Sequence, residues 1–372
     1  MSFILWILTF IIAFLLGGAL VYFAAPRRRR LWKRPAERHR IMSNALEYRL
    51  SLGPRVVAIG GGTGLSTLLG GLKGFTRNIT AVVAVTDEGG SSGRLRQEWG
   101  MLPPGDIRNC IVALAENDSS LNSLLNFRFD RGELKGHSLG NLILLATTEM
   151  MGDFQRAVEE LNKLLAIRGQ VLPVTTDNVT LKGETADGRL VSGELEISDN
   201  GSRLAKLWIE PADAEALTGV KRAFSEAEII VLGPGSLFTS VLPNLLLSDM
   251  AKLLRESKVP IVYIANLMTQ PRETEGMNIV AHVDWITGIL GTVPDYVLAN
   301  QSAIPAEFLS RYSKIGAEPL YLSAKEENYL ESLGTTVVYG DYCEIKNGKY
   351  LRHNAQNLSE TIMELVRENR KS

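Results

Sequence analysis

The stretch RVVAIGGGTG, residues 55–64, decides the fold class. Its first half, Arg55–Ile59, is a short apolar run that predicts a buried strand. The second half holds Gly60, Gly61, Gly62, Thr63 and Gly64, and a helical pattern follows over Leu65–Phe75. Glycines between a strand and a helix let backbone N–H groups approach a phosphate, whose charge the helix dipole favours. The run matches neither the dinucleotide fingerprint nor the P-loop spacing, so a tight turn without a ligand is the alternative interpretation.

The same alternation of apolar runs and helical patterns continues along the chain. Further buried strands are predicted at Thr80–Val85, Glu228–Leu232, Val259–Ala265, Tyr296–Ala299 and 335–339. Further helices are predicted at Ile107–Glu116, Ser138–Met150, Phe154–Ala166, Val241–Ser257 and Leu358–Arg370. Such alternation is typical of a parallel sheet that helices cover on both faces. We therefore predict a doubly wound, mostly parallel α/β domain over residues 55–372.

The segment from Val171 to Glu210 breaks this alternation. Four short runs with strand character lie within it, at Val171–Thr175, Asn178–Lys182, Leu190–Ile197 and Leu204–Ile209. Asp187-Gly188 stands between the second and third runs, where that dipeptide favours a hairpin turn. The segment therefore predicts a small antiparallel β insertion over about residues 171–210.

The N-terminal 54 residues have a different character. Residues 2–25 carry no charged side chain, and an apolar run of this length can span a bilayer. Eight basic side chains follow within residues 27–40, with none before the apolar run, so a cleaved signal peptide is disfavoured. We predict a transmembrane anchor over 1–26 and a basic juxtamembrane linker over 27–54. The positive charge then places the N-terminus outside and the main domain in the cytoplasm, on the inner or cytoplasmic membrane.

Charge and composition exclude several classes of function. The chain has 40 Lys and Arg against 41 Asp and Glu, but the residues beyond 40 hold 32 basic and 40 acidic side chains. A nucleic-acid-binding body should instead be basic, and the linker beside an anchor favours contact with anionic lipid. The two cysteines, Cys110 and Cys343, exclude a disulfide framework and a thiolate zinc site.

A polar loop, TDEGGSSGRLR over 86–96, follows the second predicted strand. Ligands of open α/β sheets bind at the carboxyl ends of the strands. Asp87 is there a candidate to hold a ribose hydroxyl or Mg²⁺, and Arg94 and Arg96 are candidates to hold phosphate. A flexible polar loop is the alternative.

Two further motifs stand at predicted helix starts. In PPGDIRN, residues 103–109, Asp106 either caps its helix or serves the site, and Asn109 lies on the first turn. In GHSLGN, residues 136–141, Ser138 is a candidate N-cap and Asn141 follows it. His137 is a candidate acid, base or phosphate donor, although a structural role is equally compatible with the sequence.

Two loops follow later strands. The motif GPGSLFTS over 233–240 again places glycines between a predicted strand and a predicted helix, where a phosphate can bind. Its candidate binding residues are Gly233, Gly235 and Ser236. Two such loops on parallel strands suggest a cleft suited to a diphosphate. The segment NLMTQPRET over 266–274, with Asn266 and Gln270, is a candidate lid at the same edge.

Taken together and in this order, GGGTGLS, DEGGSSGRLR, PPGDIRN, GHSLGN, VTTDNVTL and GPGSLFTS resemble the gluconeogenesis-factor (YvcK-like) family of the CofD-like superfamily, from about Arg55 to the C-terminus. The resemblance implies a Rossmann-like three-layer fold that binds a nucleotide-sugar diphosphate such as UDP-N-acetylglucosamine. It implies roles in gluconeogenic growth, cell shape and cell-wall precursor supply. It also implies that Gly60–Gly64 and Gly233–Ser236 face the diphosphate, with Asn266 and Gln270 nearby. Tyr312 and Arg352 would then hold the uridine or sugar end.

The resemblance leaves three functional hypotheses. The leading one is a membrane-anchored binding regulator that requires no cofactor. The second is a CofD-type transferase that uses Asp87 or Asp106 with Mg²⁺, although the loop motifs are of the factor type. The third is a membrane scaffold for cell-wall synthesis proteins, and homo-oligomers are compatible with all three. One departure stands out, because the family usually has glycine where this chain has Arg272.

Overall fold

The computed structural model describes residues 45–116 and 119–371. It divides the chain into two compact units, Met1–Leu52 and Gly53–Ser372. Of the first unit it describes a helix over 45–51; the predicted anchor and most of the predicted linker lie outside the described residues. Within the described ranges, no helix combines the length and the apolar character that a membrane span needs.

A seven-stranded sheet, parallel throughout, forms the centre of the second unit. Its strands are β1 (Val56–Gly60), β2 (Ile79–Val83), β3 (Gln170–Pro173), β7 (Ile229–Leu232), β8 (Ile261–Ile264), β9 (Tyr296–Asn300) and β10 (Thr336–Gly340). They lie in the order β10-β9-β8-β7-β1-β2-β3 across the sheet. Every residue of β1, β2, β7 and β8 is buried, so both faces of the sheet are covered. The predicted doubly wound sheet is confirmed.

The helices of this unit are α1 (Gly62–Leu72), α2 (Gly90–Trp99), α3 (Gly105–Leu114), α4 (Ser119–Asn126), α5 (Leu139–Met151), α6 (Phe154–Leu164), α7 (Glu194–Asn200), α8 (Thr218–Glu226), α9 (Leu242–Leu245), α10 (Met250–Arg255), α11 (Ile279–Leu290), α12 (Ala306–Ser313), α13 (Ala324–Ser332) and α14 (Ala355–Asn369). A 3₁₀ turn spans Gly201–Arg203 and a π-helical segment spans Leu237–Val241.

The chain reverses direction across the sheet at β1. From β1 it proceeds outward through β2 to β3, and it then returns to the other side of β1 and proceeds outward through β7, β8, β9 and β10. The crevice between the carboxyl ends of β1 and β7 is therefore a topological switch point, where open α/β sheets bind their ligands. The two glycine loops follow these two strands.

The antiparallel insertion is smaller than predicted. It contains β4 (Thr180–Thr185), β5 (Leu190–Ser192) and β6 (Leu204–Glu210), in the order β5-β4-β6. The predicted strand at Val171–Thr175 is instead β3, the edge strand of the main sheet, because Val171 and Leu172 pair in register with β2. The predicted strand Leu190–Ile197 ends at Ser192, since Gly193 turns the backbone with a φ of +89° and α7 begins.

Two further predictions need correction. The single helix predicted over Val241–Ser257 is broken into the π-helical segment, α9 and α10. The break occurs where Ser248 donates from its backbone to Ala214 and the Asp249 carboxylate accepts from the backbone of Ala216, which draws the chain out of the helix. A hairpin of β11 (Cys343–Lys346) and β12 (Tyr350–His353) also precedes α14 and was not predicted.

Candidate functional site

A cleft of about 530 Å³ lies at the switch point. It is lined by residues of the loops after β1, β2, β7 and β8, by α12 and the turn after it, and by β12. Twelve residues singled out from the sequence line it: Gly61, Gly62, Thr63, Gly64, Asp87, Asp106, Gly235, Ser236, Asn266, Gln270, Tyr312 and Arg352. Loops that are far apart along the chain therefore meet in one cavity.

The two glycine loops touch each other, and glycine is what permits the contact. A Cβ atom on Gly64 would lie 2.3 Å from the carbonyl oxygen of Pro234, so a side chain there would displace the second loop. Gly62 has a φ of +63°, in the left-handed region that favours glycine. Gly60 and Gly233 end their strands in backbone hydrogen bonds, Gly60 accepting from Ala84 and Gly233 donating to Ile59.

Asp106 serves the first loop instead of its own helix. The N-cap of α3 is Pro104, without a side-chain cap, and the Asp106 carboxylate accepts a hydrogen bond from the backbone N–H of Gly62. Burial raises the pKa of Asp106 to about 6, and the negative charge of Asp87 adds to this effect. The start of α1 is thus held by a carboxylate whose pKa lies close to neutral pH.

The second loop is also braced by a buried carboxylate, from Glu273. This side chain is 2% exposed and accepts hydrogen bonds from the Ser236 hydroxyl and, at 3.1 Å, from the backbone N–H of Phe238. Burial raises its pKa. The N–H group of Phe238 at this helical start is therefore used within the protein, which differs from the expectation that both loops offer their amides to a phosphate.

The insertion contributes a third acidic residue to the cleft, Glu194 at the start of α7. Its Oε2 atom accepts from the backbone N–H of Glu88 at 2.9 Å, and its carboxyl group is hydrogen-bonded to that of Asp87. Burial, followed by the charge of Asp87, raises the pKa of Glu194 to about 8. No local motif marks Glu194, because its place in the cleft depends on how the insertion folds back.

Carboxylates dominate the charge of the cleft. Asp87, Asp106 and Glu194 line it together with a single Lys or Arg side chain, that of Arg352. Carboxylate oxygens are the ligands that Mg²⁺ prefers, and one or two suffice when a phosphate completes the shell. Among the described residues, no group of three or more His, Cys, Asp or Glu side chains is placed to hold a metal ion by itself.

Part of the cleft wall is apolar and aromatic. Leu267, Met268 and Leu351 belong to a small separate hydrophobic cluster, on which Tyr312 packs. The Tyr312 hydroxyl accepts from the backbone N–H of Leu351 at 3.3 Å. The Arg352 guanidinium lies 5.3 Å from the centroid of the Tyr350 ring. Tyr312 and Arg352 can therefore offer an aromatic ring and a cation to a flat, partly polar group.

Gln270 and His353 add two polar groups to the wall of the cleft. The Oε1 atom of Gln270 is buried in the wall without a hydrogen-bond partner among the described residues. His353, which the sequence did not single out, also lines the cleft, with its Nε2 atom 3.1 Å from the Ala265 carbonyl oxygen. Burial lowers the pKa of His353 to about 4, so this histidine is neutral at pH 7.

The two arginines predicted to hold phosphate bind the protein's own backbone instead. The Arg94 guanidinium donates to the Lys135 carbonyl oxygen at 2.7 Å. That of Arg96 donates to the Asn178 side chain at 2.8 Å and to the Val179 carbonyl oxygen at 2.6 Å. Neither lines the cleft. They fasten α2 to the loop before α5 and to the insertion.

The GHSLGN motif forms a buried network behind the cleft. Ser138 caps α5 by accepting from the backbone N–H of Asn141 at 3.3 Å, as predicted. The hydroxyl of Ser91 lies 3.0 Å from His137 Nδ1 and accepts from Asn141 Nδ2 at 3.0 Å. Burial lowers the pKa of His137. Neither His137 nor Asn141 lines the cleft, nor does Asn109 on α3.

Comparison with known proteins agrees with this geometry. The family model for CofD, described as 2-phospho-L-lactate transferase CofD, matches residues 56–343. The chain belongs to the CofD family. Within that family it is similar to proteins named gluconeogenesis factor, from Halalkalibacterium halodurans (43% identical over 83% of this chain and 95% of the relative) and from Bacillus subtilis (40% identical over 85% of this chain and 99% of the relative). The resemblance drawn from the six motifs is confirmed.

A solved structure extends the comparison of this CofD-family chain to three dimensions. A UPF0052 family protein from Bacillus halodurans is 41% identical, covers 84% of this chain and 99% of its own, and superposes with a TM-score of 0.79. Such relatives are nearly as long as the unit Gly53–Ser372. A chain of this length therefore forms the complete fold by itself.

Proposed function

We propose that this protein is a membrane-anchored regulator that binds a nucleotide sugar, such as UDP-N-acetylglucosamine, without converting it. The observation that carries the proposal is that residues of two kinds line the cleft at the switch point. Gly61, Gly62 and Thr63 belong to the first glycine loop, whereas Tyr312 and Arg352 offer an aromatic ring and a cation. A nucleotide sugar has groups to match both, since a charged diphosphate joins a base and a sugar.

The diphosphate is proposed to bind at the start of α1. Backbone N–H groups at a helix start, together with the helix dipole, favour negative charge. Ser236 and Thr239 line the cleft from the facing loop, where the Ser236 hydroxyl already donates to Glu273. Farther along the wall, the unpartnered Oε1 atom of Gln270 provides an acceptor for a ligand N–H or O–H group. A buried polar atom without a partner is costly, so pairing it with the ligand would stabilise the complex.

A cation would reconcile the acidic cleft with an anionic ligand. At neutral pH Glu194 is protonated, but the charges of Asp87 and Asp106 outweigh that of Arg352, so the lining would still repel a diphosphate. Asp87 and Asp106 are the residues proposed to hold Mg²⁺, which would neutralise the phosphate charge. A Mg²⁺ ion held by Asp87 would serve a binding protein and a transferase alike.

The finer biological role is carried over from the relatives. Their name, gluconeogenesis factor, supports a part in growth on gluconeogenic carbon sources. Regulation of cell shape and of cell-wall precursor supply, and contact with cell-wall synthesis proteins, are proposed from the family resemblance. The apolar run at residues 2–25 and the basic residues after it support a single membrane pass with the domain in the cytoplasm.

A CofD-type transferase is the second candidate. It is favoured by the two raised pKa values in the cleft, about 6 for Asp106 and about 8 for Glu194. Carboxyl groups that titrate close to neutral pH are suited to general acid and base catalysis. The description of the matched family model, 2-phospho-L-lactate transferase, points the same way.

Mass spectrometry of small molecules that co-purify with residues 51–372 tests the ligand. We expect an intact UDP-sugar, and we expect the same compound to raise the melting temperature, because a ligand of the folded state stabilises it by mass action. Steady Mg²⁺-dependent release of a nucleoside monophosphate or diphosphate would favour the transferase. Absence of any nucleotide, with no thermal shift from a panel of UDP-sugars, would refute nucleotide-sugar binding.

Membrane attachment is tested separately on the full chain. We expect it in the membrane fraction after alkaline washing and in the soluble fraction when residues 1–52 are removed. A reporter at the C-terminus should be active in the cytoplasm. Alkaline phosphatase activity from a C-terminal fusion would contradict the proposed topology.

A further inference from the structure

The edge of the sheet opposite the cleft carries two further cavities, whose lining includes five basic side chains and the two acidic residues Glu226 and Asp295. One of about 500 Å³ lies at the amino ends of β1, β2 and β3 and includes Arg55, Arg77 and Arg222. Another of about 230 Å³ lies at the amino ends of β8 and β9 and includes Arg255 and Lys258. Because the sheet is parallel, these cavities open on the same edge. We call these five residues the basal face.

The basal face is cationic although the body of the chain is acidic. Arg55 and Arg222 share one acidic partner, Glu226, at 3.8 and 3.0 Å, and Arg77 lies 3.9 Å from Glu116. The side chains of Arg55 and Arg222 are 59% and 79% exposed. Ion pairs this exposed contribute little stability, so the guanidinium groups of Arg55 and Arg222 can exchange them for stronger partners. Guanidinium binds phosphate by two parallel hydrogen bonds.

The chain enters the domain at this same edge. The Gly53 carbonyl oxygen accepts from Asn78 at 2.6 Å, and the Pro54 carbonyl oxygen accepts from Thr76 at 2.8 Å. The two donors, Thr76 and Asn78, flank Arg77 in the sequence, so these bonds fix the point at which the chain enters the domain. The eight basic residues of 27–40 precede it along the chain. Whatever holds the N-terminal segment is therefore connected to the domain at its basal face.

We infer that the basal face docks on the anionic headgroups of a lipid bilayer. The inference rests on the proposed membrane anchor and adds an orientation to it. Residues beyond 40 hold 40 acidic against 32 basic side chains, so an anionic surface repels most of the body and attracts this one face. The five residues of β1 span about 16 Å, and the cleft beyond their carboxyl ends faces away from the membrane. The ligand then enters from the cytoplasm.

Vesicle sedimentation tests the inference on residues 53–372, which correspond in length to relatives that fold alone. We expect binding to vesicles that contain phosphatidylglycerol, no binding to phosphatidylcholine alone, and release by salt. The double variant R222E/K258E should partition at least about tenfold less, since each basic residue contributes about fivefold. The matched variant R131E/K206E changes the net charge equally in the turn before α5 and on the insertion, and should bind like the wild type.

Three outcomes would overturn the inference. The first is no binding to anionic vesicles. The second is an equal loss in both double variants, which would reduce the effect to net charge. The third is saturable binding of inorganic phosphate or glycerol phosphate without vesicle binding, which would assign the cavity to a small anion. Melting temperatures of all variants establish that they are folded. Fractionation of the full chain and identification of the co-purified ligand are independent measurements. A negative result for membrane attachment or for ligand binding is therefore distinguishable from a negative result for vesicle docking.

Discussion

The carboxyl group of Glu194 is hydrogen-bonded to that of Asp87 in the wall of the cleft. Two carboxyl groups form such a bond when one of them carries a proton. Burial and the charge of Asp87 raise the pKa of Glu194 to about 8, so Glu194 is the group that holds the proton at neutral pH. Glu194 and Asp87 therefore share one proton in the wall of the cleft at neutral pH.

The contribution of Glu194 to stability should fall as the pH rises from about 4.5 to about 8. In this window the folded state keeps the Glu194 proton while the unfolded state has released it, so this part of the free energy of unfolding decreases with pH. Glu194→Gln should remove this contribution from the pH dependence, as measured by urea denaturation at a series of pH values. Glu196→Gln, an exposed change on the same helix, serves as the control and should retain the slope. An unchanged slope in Glu194→Gln would refute the role of this carboxyl group.

Gly62→Ala should abolish the thermal shift produced by a UDP-sugar. An alanine at a φ of +63° costs about 1–2 kcal/mol, and its Cβ atom would lie where we propose the diphosphate binds. Gly70→Ala is the matched control, because Gly70 is exposed in α1 and a Cβ atom there meets no atom within 4 Å. The control should gain about 0.5–1 kcal/mol of stability and keep the ligand shift. If Gly62→Ala retains the shift, the loop is only a turn.

Asp87→Asn distinguishes a regulator from a transferase. The Oδ1 atom of Asp87 accepts from the backbone N–H of Gly89 at 2.7 Å, and asparagine can preserve that bond. We expect weaker nucleotide-sugar binding by about 1.5–3 kcal/mol, measured by calorimetry, and no turnover in either protein. In a transferase, loss of the metal-holding carboxylate would instead abolish Mg²⁺-dependent product release. Turnover in the wild type that disappears in Asp87→Asn would establish the enzyme.

Arg272→Gly should equal or exceed the wild type in stability. Arg272 has a φ of +66°, in the left-handed region that favours glycine. Its guanidinium pairs with Asp199 of α7 at 3.1 Å, in an exposed ion pair worth at most about 1 kcal/mol. Arg272→Ala loses the pair and keeps the strain, so its melting temperature should be the lowest of the three. A higher melting temperature for Arg272→Ala than for Arg272→Gly would exclude backbone strain at this position.

The hairpin of β11 and β12, which was not predicted, did have a signal in the sequence. Asn347-Gly348 stands between β11 and β12, with φ values of +54° and +62°. Asparagine followed by glycine between two short strands is the strongest local signal for a tight hairpin. The break in the helix after the second glycine loop had a weaker signal in the sequence. It depends on hydrogen bonds of Ser248 and Asp249 with residues near 214, which lie far away in sequence.

The sequence by itself determined the parallel sheet, the two glycine loops and their common edge, since these follow from local periodicity and from the rule that parallel strands end together. It also identified Asp87, Asp106, Tyr312 and Arg352, two from loop chemistry and two from family resemblance. The tertiary structure alone decided which polar residues reach the cleft. Arg94, Arg96 and His137 form hydrogen bonds away from the cleft, whereas Glu194 arrives from an insertion that bonds to Glu88, 106 residues away along the chain. Side-chain partners of this kind depend on packing between distant segments, which no local pattern encodes.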